Sequence, residues 1–261
     1  MILGDPHLTP VALLILIVAA WIVGLSKTGV PGVGILAVPL MAAVLGGRLS
    51  VGTLLPLLVV GDLFAVTWYR RHADLKQIKL LAPCVLIGLA LGSWLLLRMG
   101  EHPAHRDLMN PMIGVIVLLI LGLTLIRGKL GDKFQPHSRT GAYLTGVAAG
   151  FTTMVSNAAG PIMVIYFSAL GFAKTEFMGT QAVYFFLFNL VKVPILIGLT
   201  LATPGQPLLT AHTLLIDGVM APAVALGAWS GKWVLHKLPE KAFSTVVLAL
   251  AALAALELIF G

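Results

Sequence analysis

Six apolar runs, each close to the length that crosses a lipid bilayer, constrain this chain more than any other feature. They span residues 50–69, 79–98, 109–126, 177–201, 213–235 and 242–260. About twenty helical residues cover a hydrocarbon core roughly 30 Å thick. Because 59% of the residues are hydrophobic and only 10% are charged, no water-soluble fold of this length could bury the apolar surface. The sequence therefore predicts an all-α, polytopic membrane protein with the lipid bilayer as its surroundings.

Two further apolar regions, 11–46 and 141–172, are interrupted by small and polar residues at 26–34 and 152–161. As a single helix the first region would be about 54 Å long, whereas its two pieces, of about 22 and 18 Å, are each too short to cross. We therefore expect each region to form a re-entrant or broken pair of half-helices. Non-helical backbone is tolerated inside a membrane only beside protein or a watery cavity, so each break should line a cavity.

The chain also contains an internal repeat. The segment 24–34 aligns with 150–160 at an offset of 126 residues, and 82–94 recurs as 221–233 at an offset of 139. The second pair keeps six identities at the same spacing, including a proline and a tryptophan, which a shared apolar composition does not explain. The sequence therefore predicts a duplication.

We place the two repeats at residues 1–130 and 131–261. Each would hold one broken helix pair and three full crossings, and an odd number of crossings makes the second repeat inverted. In that topology twelve Lys and Arg residues lie at cytoplasmic ends and three at outer ends, as the positive-inside rule requires. Inverted repeats with interrupted helices are typical of secondary transporters, which bind substrates near the midplane. We therefore expect the two breaks to converge there from opposite leaflets.

The predicted half-helix starts, near Gly34 and Gly160, favour an anion as the substrate. Unpaired N–H groups and the positive end of the helix dipole attract negative charge at such starts. An alternative is that the polar side chains at the breaks only cap two turns. Neutral donors in the breaks are Ser26, Thr28, Thr152, Thr153, Ser156 and Asn157.

Three charged residues, Lys27, Asp62 and Lys192, fall at membrane depth, where ionisable groups are costly and usually functional. Lys192 lies mid-span beside Asn189 and ahead of Pro194, and is the strongest candidate for attracting an anion. Its alternative is a structural ion pair with Asp62. Lys27 follows the first half-helix, whose C-terminal dipole would stabilise a cation without any substrate. Asp62 could instead carry a coupling proton.

Other classes of protein fit less well. The single cysteine, Cys84, excludes an internal disulfide or a thiolate metal cluster, and no cofactor or metal is expected. The net charge of +7 comes from short connections, so it indicates membrane orientation and not nucleic-acid binding. Asp62 and Asp217 would permit an intramembrane aspartyl protease, but Val59 and Ile216 do not fit its motifs. A passive anion channel would share the architecture, and a homodimer is left open.

At the residues described above the chain resembles the sulfite exporter TauE/SafE family of membrane permeases. The resemblance covers the broken first segment of each repeat, the duplication, and the stretch 185–194 with its Asn, Lys and Pro. It implies a transporter in the cell membrane, most simply a bacterial inner membrane, that exports sulfite or an organosulfonate. The first break departs from the glycine-rich loop of the family at Lys27, Thr28 and Pro31, which leaves the exact anion open.

Overall fold

The structure, a computed structural model, describes residues 9–101, 108–130 and 139–234, together with Leu256, Ile259 and Phe260. Over these residues the chain is helical and contains no strand. Two short 3-10 turns, Val33–Leu36 and Arg70–His72, accompany the α-helices. The α-helices are α1 Pro10–Thr28, α2 Ala37–Leu45, α3 Gly47–Tyr69, α4 Leu75–Glu101, α5 Met109–Leu130, α6 Arg139–Ser156, α7 Gly160–Ala169, α8 Lys174–Ala202 and α9 Ala211–Val234.

The all-α polytopic membrane class is confirmed. Four of the predicted apolar runs form α3, α4, α8 and α9, which are long and apolar enough to cross a bilayer, by length and composition. The run at 109–126 lies in α5, where Met109–Ile120 forms a shorter apolar stretch. The run at 242–260 lies outside the described residues except for the three isolated positions.

Both broken regions form two helices, but the two limbs of each are unequal. α1 has 19 residues and is itself long and apolar enough to cross a bilayer, whereas α2 has 9 and α7 has 10. The prediction that both pieces of the first region are too short is therefore wrong for α1. The Ser26 hydroxyl donates to the carbonyl of Val23, and the Thr28 hydroxyl donates to the carbonyl of Ala228 in α9, so both polar groups are satisfied at the end of α1.

The chain leaves the helical conformation over residues 29–32 and again over residues 157–159. Gly32 has a φ of 89° and Asn157 a φ of 57°. This left-handed conformation suits glycine, which has no Cβ, and asparagine tolerates it better than most other residues. The two breaks are therefore sharp turns whose geometry depends on these residues.

The helices pack in a reciprocal pattern. α1 packs most extensively against α9, and α4 against α6, while α3 packs against α8 and α9. In each of the two main pairs, one helix comes from the first half of the sequence and the other from the second half. A duplicated chain would pack in this way, although the duplication, its boundary at residue 130 and the inversion stay predictions.

Glycines allow the two main helix pairs to touch backbone to backbone. A Cβ added to Gly24 of α1 would overlap the carbonyl oxygen of Val224 in α9. A neighbouring backbone is met in the same way by Gly150 at Val85, Gly88 at Val147 and Gly227 at Trp21. The eight positions of these four contacts are related pairwise by the offsets of 126 and 139.

We expect Gly227→Ala to destabilise the folded protein by about 1–3 kcal/mol, since the new methyl group must push α1 and α9 apart. Gly218 lies on the same helix with no atom within 4 Å of its Cβ position. Gly218→Ala should therefore leave stability unchanged or raise it by up to about 1 kcal/mol, through helix propensity. Thermal unfolding of both purified variants in detergent measures the difference, and equal stabilities would contradict the close crossing.

Candidate functional site

The two breaks meet at one buried cavity of about 40 Å³. This volume has room for a few water molecules, the size class of a compact polyatomic anion. The Cα of Gly32 in the first break lies 4.0 Å from the Cβ position of Gly160 in the second. The cavity is lined by Ser26, Lys27, Gly32, Gly34, Ile35, Leu54, Leu58, Thr153, Asn157, Ala158, Gly160, Gln181, Phe185 and Asn189.

Asp62 forms a buried ion pair with Lys27. Its Oδ1 lies 2.7 Å from Lys27 Nζ, and its Oδ2 accepts a hydrogen bond of 2.6 Å from Asn189 Nδ2. Lys27 Nζ also lies 4.3 Å from the centre of the Phe185 ring. The alternative in which Asp62 pairs with Lys192 is therefore corrected, because the ammonium at the end of α1 is the one in contact with the carboxylate.

Lys192 lies behind the cavity wall and is fully buried. Its Nζ donates to Thr153 Oγ1 at 3.2 Å and to Asn157 Oδ1 at 2.5 Å. The Nδ2 of Asn157 donates in turn to the carbonyl oxygen of Val51 in α3. Both partners of Lys192 line the cavity although Lys192 itself does not, so its charge acts on the cavity through the second break.

Most of the hydroxyl groups predicted to bind an anion use their protons elsewhere. Thr153 differs, because its oxygen accepts from Lys192 and, among the described residues, no acceptor takes its proton. Its O–H group can therefore donate to a bound anion. The other four hydroxyls donate to backbone carbonyls: Ser26 to Val23, Thr28 to Ala228, Thr152 to Ala148 and Ser156 to Thr152.

The two half-helix starts also differ in the N–H groups that they leave open. In the first, Val33 N–H donates to the carbonyl of Val30 and Ile35 N–H to that of Gly32. These 3-10 bonds use amide protons that we predicted to face an anion. In the second, α7 begins at Gly160 as predicted, and the first turn of an α-helix leaves its N–H groups without helical partners. Pro161 has no N–H, so this turn offers the N–H groups of Gly160 and Ile162.

Sequence reasoning missed two cavity residues of α8, Gln181 and Phe185. Gln181 lies eight residues and Phe185 four residues before Asn189, so all three share one face of the helix. The spacing of Gln181 and Asn189 could have been recognised in the sequence, but the aromatic residues between them made this part of α8 look uniformly apolar. Leu54 and Leu58 of α3 complete the wall with apolar side chains.

Asp217, the second intramembrane aspartate, does not line the cavity. It is buried on α9, and within the described part of the chain neither carboxylate oxygen has a hydrogen-bond partner. Asp62, by contrast, is paired with Lys27. The two carboxylates therefore do not form the shared acid and base pair that an aspartyl protease needs.

Comparison with known proteins assigns the chain to a family. The model of the family described as Sulfite exporter TauE/SafE matches residues 13–258. No curated protein and no solved structure matches the chain. Members of the family are membrane transporters and not enzymes. Among the described residues, five helices are long enough to cross a bilayer, which agrees with a multi-pass membrane protein. The chain therefore belongs to the sulfite exporter TauE/SafE family.

Proposed function

We propose that this protein is a secondary transporter of the bacterial inner membrane that exports a small sulfur-containing anion, such as sulfite or an organosulfonate. The observation that carries the proposal is the meeting of both breaks at one cavity, with the buried ammonium of Lys192 bonded to Thr153 and Asn157 in its wall. Family membership supports the class of substrate.

In this proposal the anion occupies the cavity between the two breaks. Its oxygens accept hydrogen bonds from the Thr153 hydroxyl and from the first turn of α7 at Gly160. Lys192 supplies the attracting charge through its two bonds to the second break. In a site of low dielectric, charge-assisted hydrogen bonds are stronger than in water. These hydrogen bonds therefore offset the free energy that the anion loses when it leaves its hydration shell.

Asp62 is favoured as a fixed negative charge and not as a proton carrier. Both of its oxygens are engaged, one by Lys27 and the other by Asn189, so protonation would leave the Lys27 ammonium buried without its partner.

The proposed transport path also requires the inverted topology, in which the ends of α3 and α8 lie on opposite sides of the membrane. Arg71 follows α3 and Pro204 follows α8, and both are exposed. In a Cys84→Ser background, we expect Arg71→Cys and Pro204→Cys to react with an impermeant maleimide from opposite sides of oriented vesicles. Labelling from the same side would overturn the inversion.

We expect Lys192→Met to lower anion transport at least about tenfold, corresponding to about 1.4 kcal/mol of lost binding, while the protein still inserts into membranes. The substitution removes the charge but keeps a long side chain in the buried position. Lys76 is exposed at the start of α4, and Lys76→Met serves as the control that should transport normally. Efflux from proteoliposomes measures both, and normal efflux by Lys192→Met would remove Lys192 from the site.

The neighbouring threonines of α6 offer a matched pair of substitutions. Thr153→Val should raise the substrate KM by about tenfold or more, because a hydrogen bond to a charged group contributes about 1.5–3 kcal/mol. Thr152→Val makes the same change where the hydroxyl donates to Ala148 within its own helix, so KM should change little. Thr153→Ser should restore binding, and equal KM values for the two valine variants would contradict the assignment of Thr153.

A further inference from the structure

The charges around the cavity limit the charge of the anion that it can bind. We infer that the site takes singly charged oxyanions, such as hydrogensulfite or an organosulfonate, and excludes doubly charged ones such as sulfate and fully ionised sulfite. The inference rests on the proposed function and narrows its substrate.

Lys27 and Asp62 contribute no net charge to the site. Their charged atoms are 2.7 Å apart and both side chains are buried, so the positive charge nearest the first break is already balanced. Asn189 holds the second carboxylate oxygen at 2.6 Å and fixes the pair in place. The side of the cavity formed by the first break therefore presents no net charge to an entering anion.

Lys192 supplies one positive charge that its neighbours do not balance. Its hydrogen-bond acceptors in the described part of the chain, Thr153 and Asn157, are both neutral and both line the cavity. The remaining buried charged residues of that part are Arg48 and Asp217, and neither has a hydrogen bond to a residue of the cavity wall. The site thus carries a net charge of plus one.

A buried net charge is costly, because water no longer solvates it. One monovalent anion brings the total of cavity and ligand to zero. A divalent anion leaves one negative charge buried without compensation, because the Lys27 ammonium already neutralises the Asp62 carboxylate. The occupied site is therefore most stable with a monoanion.

Gln181 supplies a second, independent observation. Its side-chain oxygen is buried at the cavity and, in the described part of the chain, has no hydrogen-bond donor. A buried acceptor without a donor is destabilising, and a fully deprotonated oxyanion would add only further acceptors. A protonated oxyanion such as hydrogensulfite carries an O–H that Gln181 can accept. The cavity therefore suits an anion that retains a proton.

Binding to the purified wild-type protein tests the inference directly. Isothermal titration in detergent should show methanesulfonate binding at least about tenfold more tightly than sulfate at equal ionic strength. As the pH rises through the ionisation of hydrogensulfite, the affinity for sulfite should fall by a larger factor than the affinity for methanesulfonate. Sulfate binding as tightly as methanesulfonate would overturn the charge rule but leave the proposed function standing. Binding of neither anion would overturn both.

Variants that alter the charge of the cavity should change its selectivity. Asp62→Asn releases the charge of Lys27, and the ratio of sulfate to methanesulfonate affinity should rise at least about tenfold. Gln181→Lys adds a charge to the wall without breaking the ion pair, and should give the same shift if Asp62→Asn fails to fold. The double variant Lys27→Met, Asp62→Asn removes both charges together and should retain the wild-type ratio. An unchanged ratio in a folded Asp62→Asn or Gln181→Lys protein would overturn the inference.

Discussion

A helix that ends inside a membrane leaves carbonyl and N–H groups that lipid cannot satisfy, and the rest of this structure follows from that constraint. At the end of α1, the Thr28 carbonyl accepts a hydrogen bond from the hydroxyl of Tyr69, and the Thr28 hydroxyl donates to Ala228 in α9. At the second break, Asn157 joins α3 to Lys192 through its side-chain amide. Each break is therefore enclosed by helices distant in sequence, and a polar cavity forms where the two enclosures meet.

Polar residues at the breaks consequently divide between two tasks. Ser26 and Thr152 donate to carbonyls of their own helices, so their hydroxyls are satisfied without a ligand. Thr153 and Asn157 contact Lys192 and face the cavity. The proposed site therefore needs few residues beyond those at the ends of α1 and α6.

Much of this arrangement could be predicted from the sequence. The spans followed from apolar length, and Lys192 and Asp62 were identified because charges are costly at membrane depth. The partner of Asp62 could not be predicted from the sequence. Lys27 and Lys192 both lie at membrane depth, and only the packing of the helices decides which of the two ammonium groups reaches the carboxylate. The direction of each hydroxyl was equally out of reach, because a serine or threonine in a helix can donate to its own backbone or to a neighbour.

The glycine crossings have a mechanical consequence. α1 is pressed against α9 and α4 against α6, with no side chain between the crossing backbones at Gly24 and Gly150. Each packed pair joins a helix from the first half of the sequence to one from the second half, so a motion of either pair as a unit would carry segments of both halves together. Cleavage of the polypeptide between α5 and α6 would give two fragments. Each fragment would expose a groove that fits a helix of the other fragment.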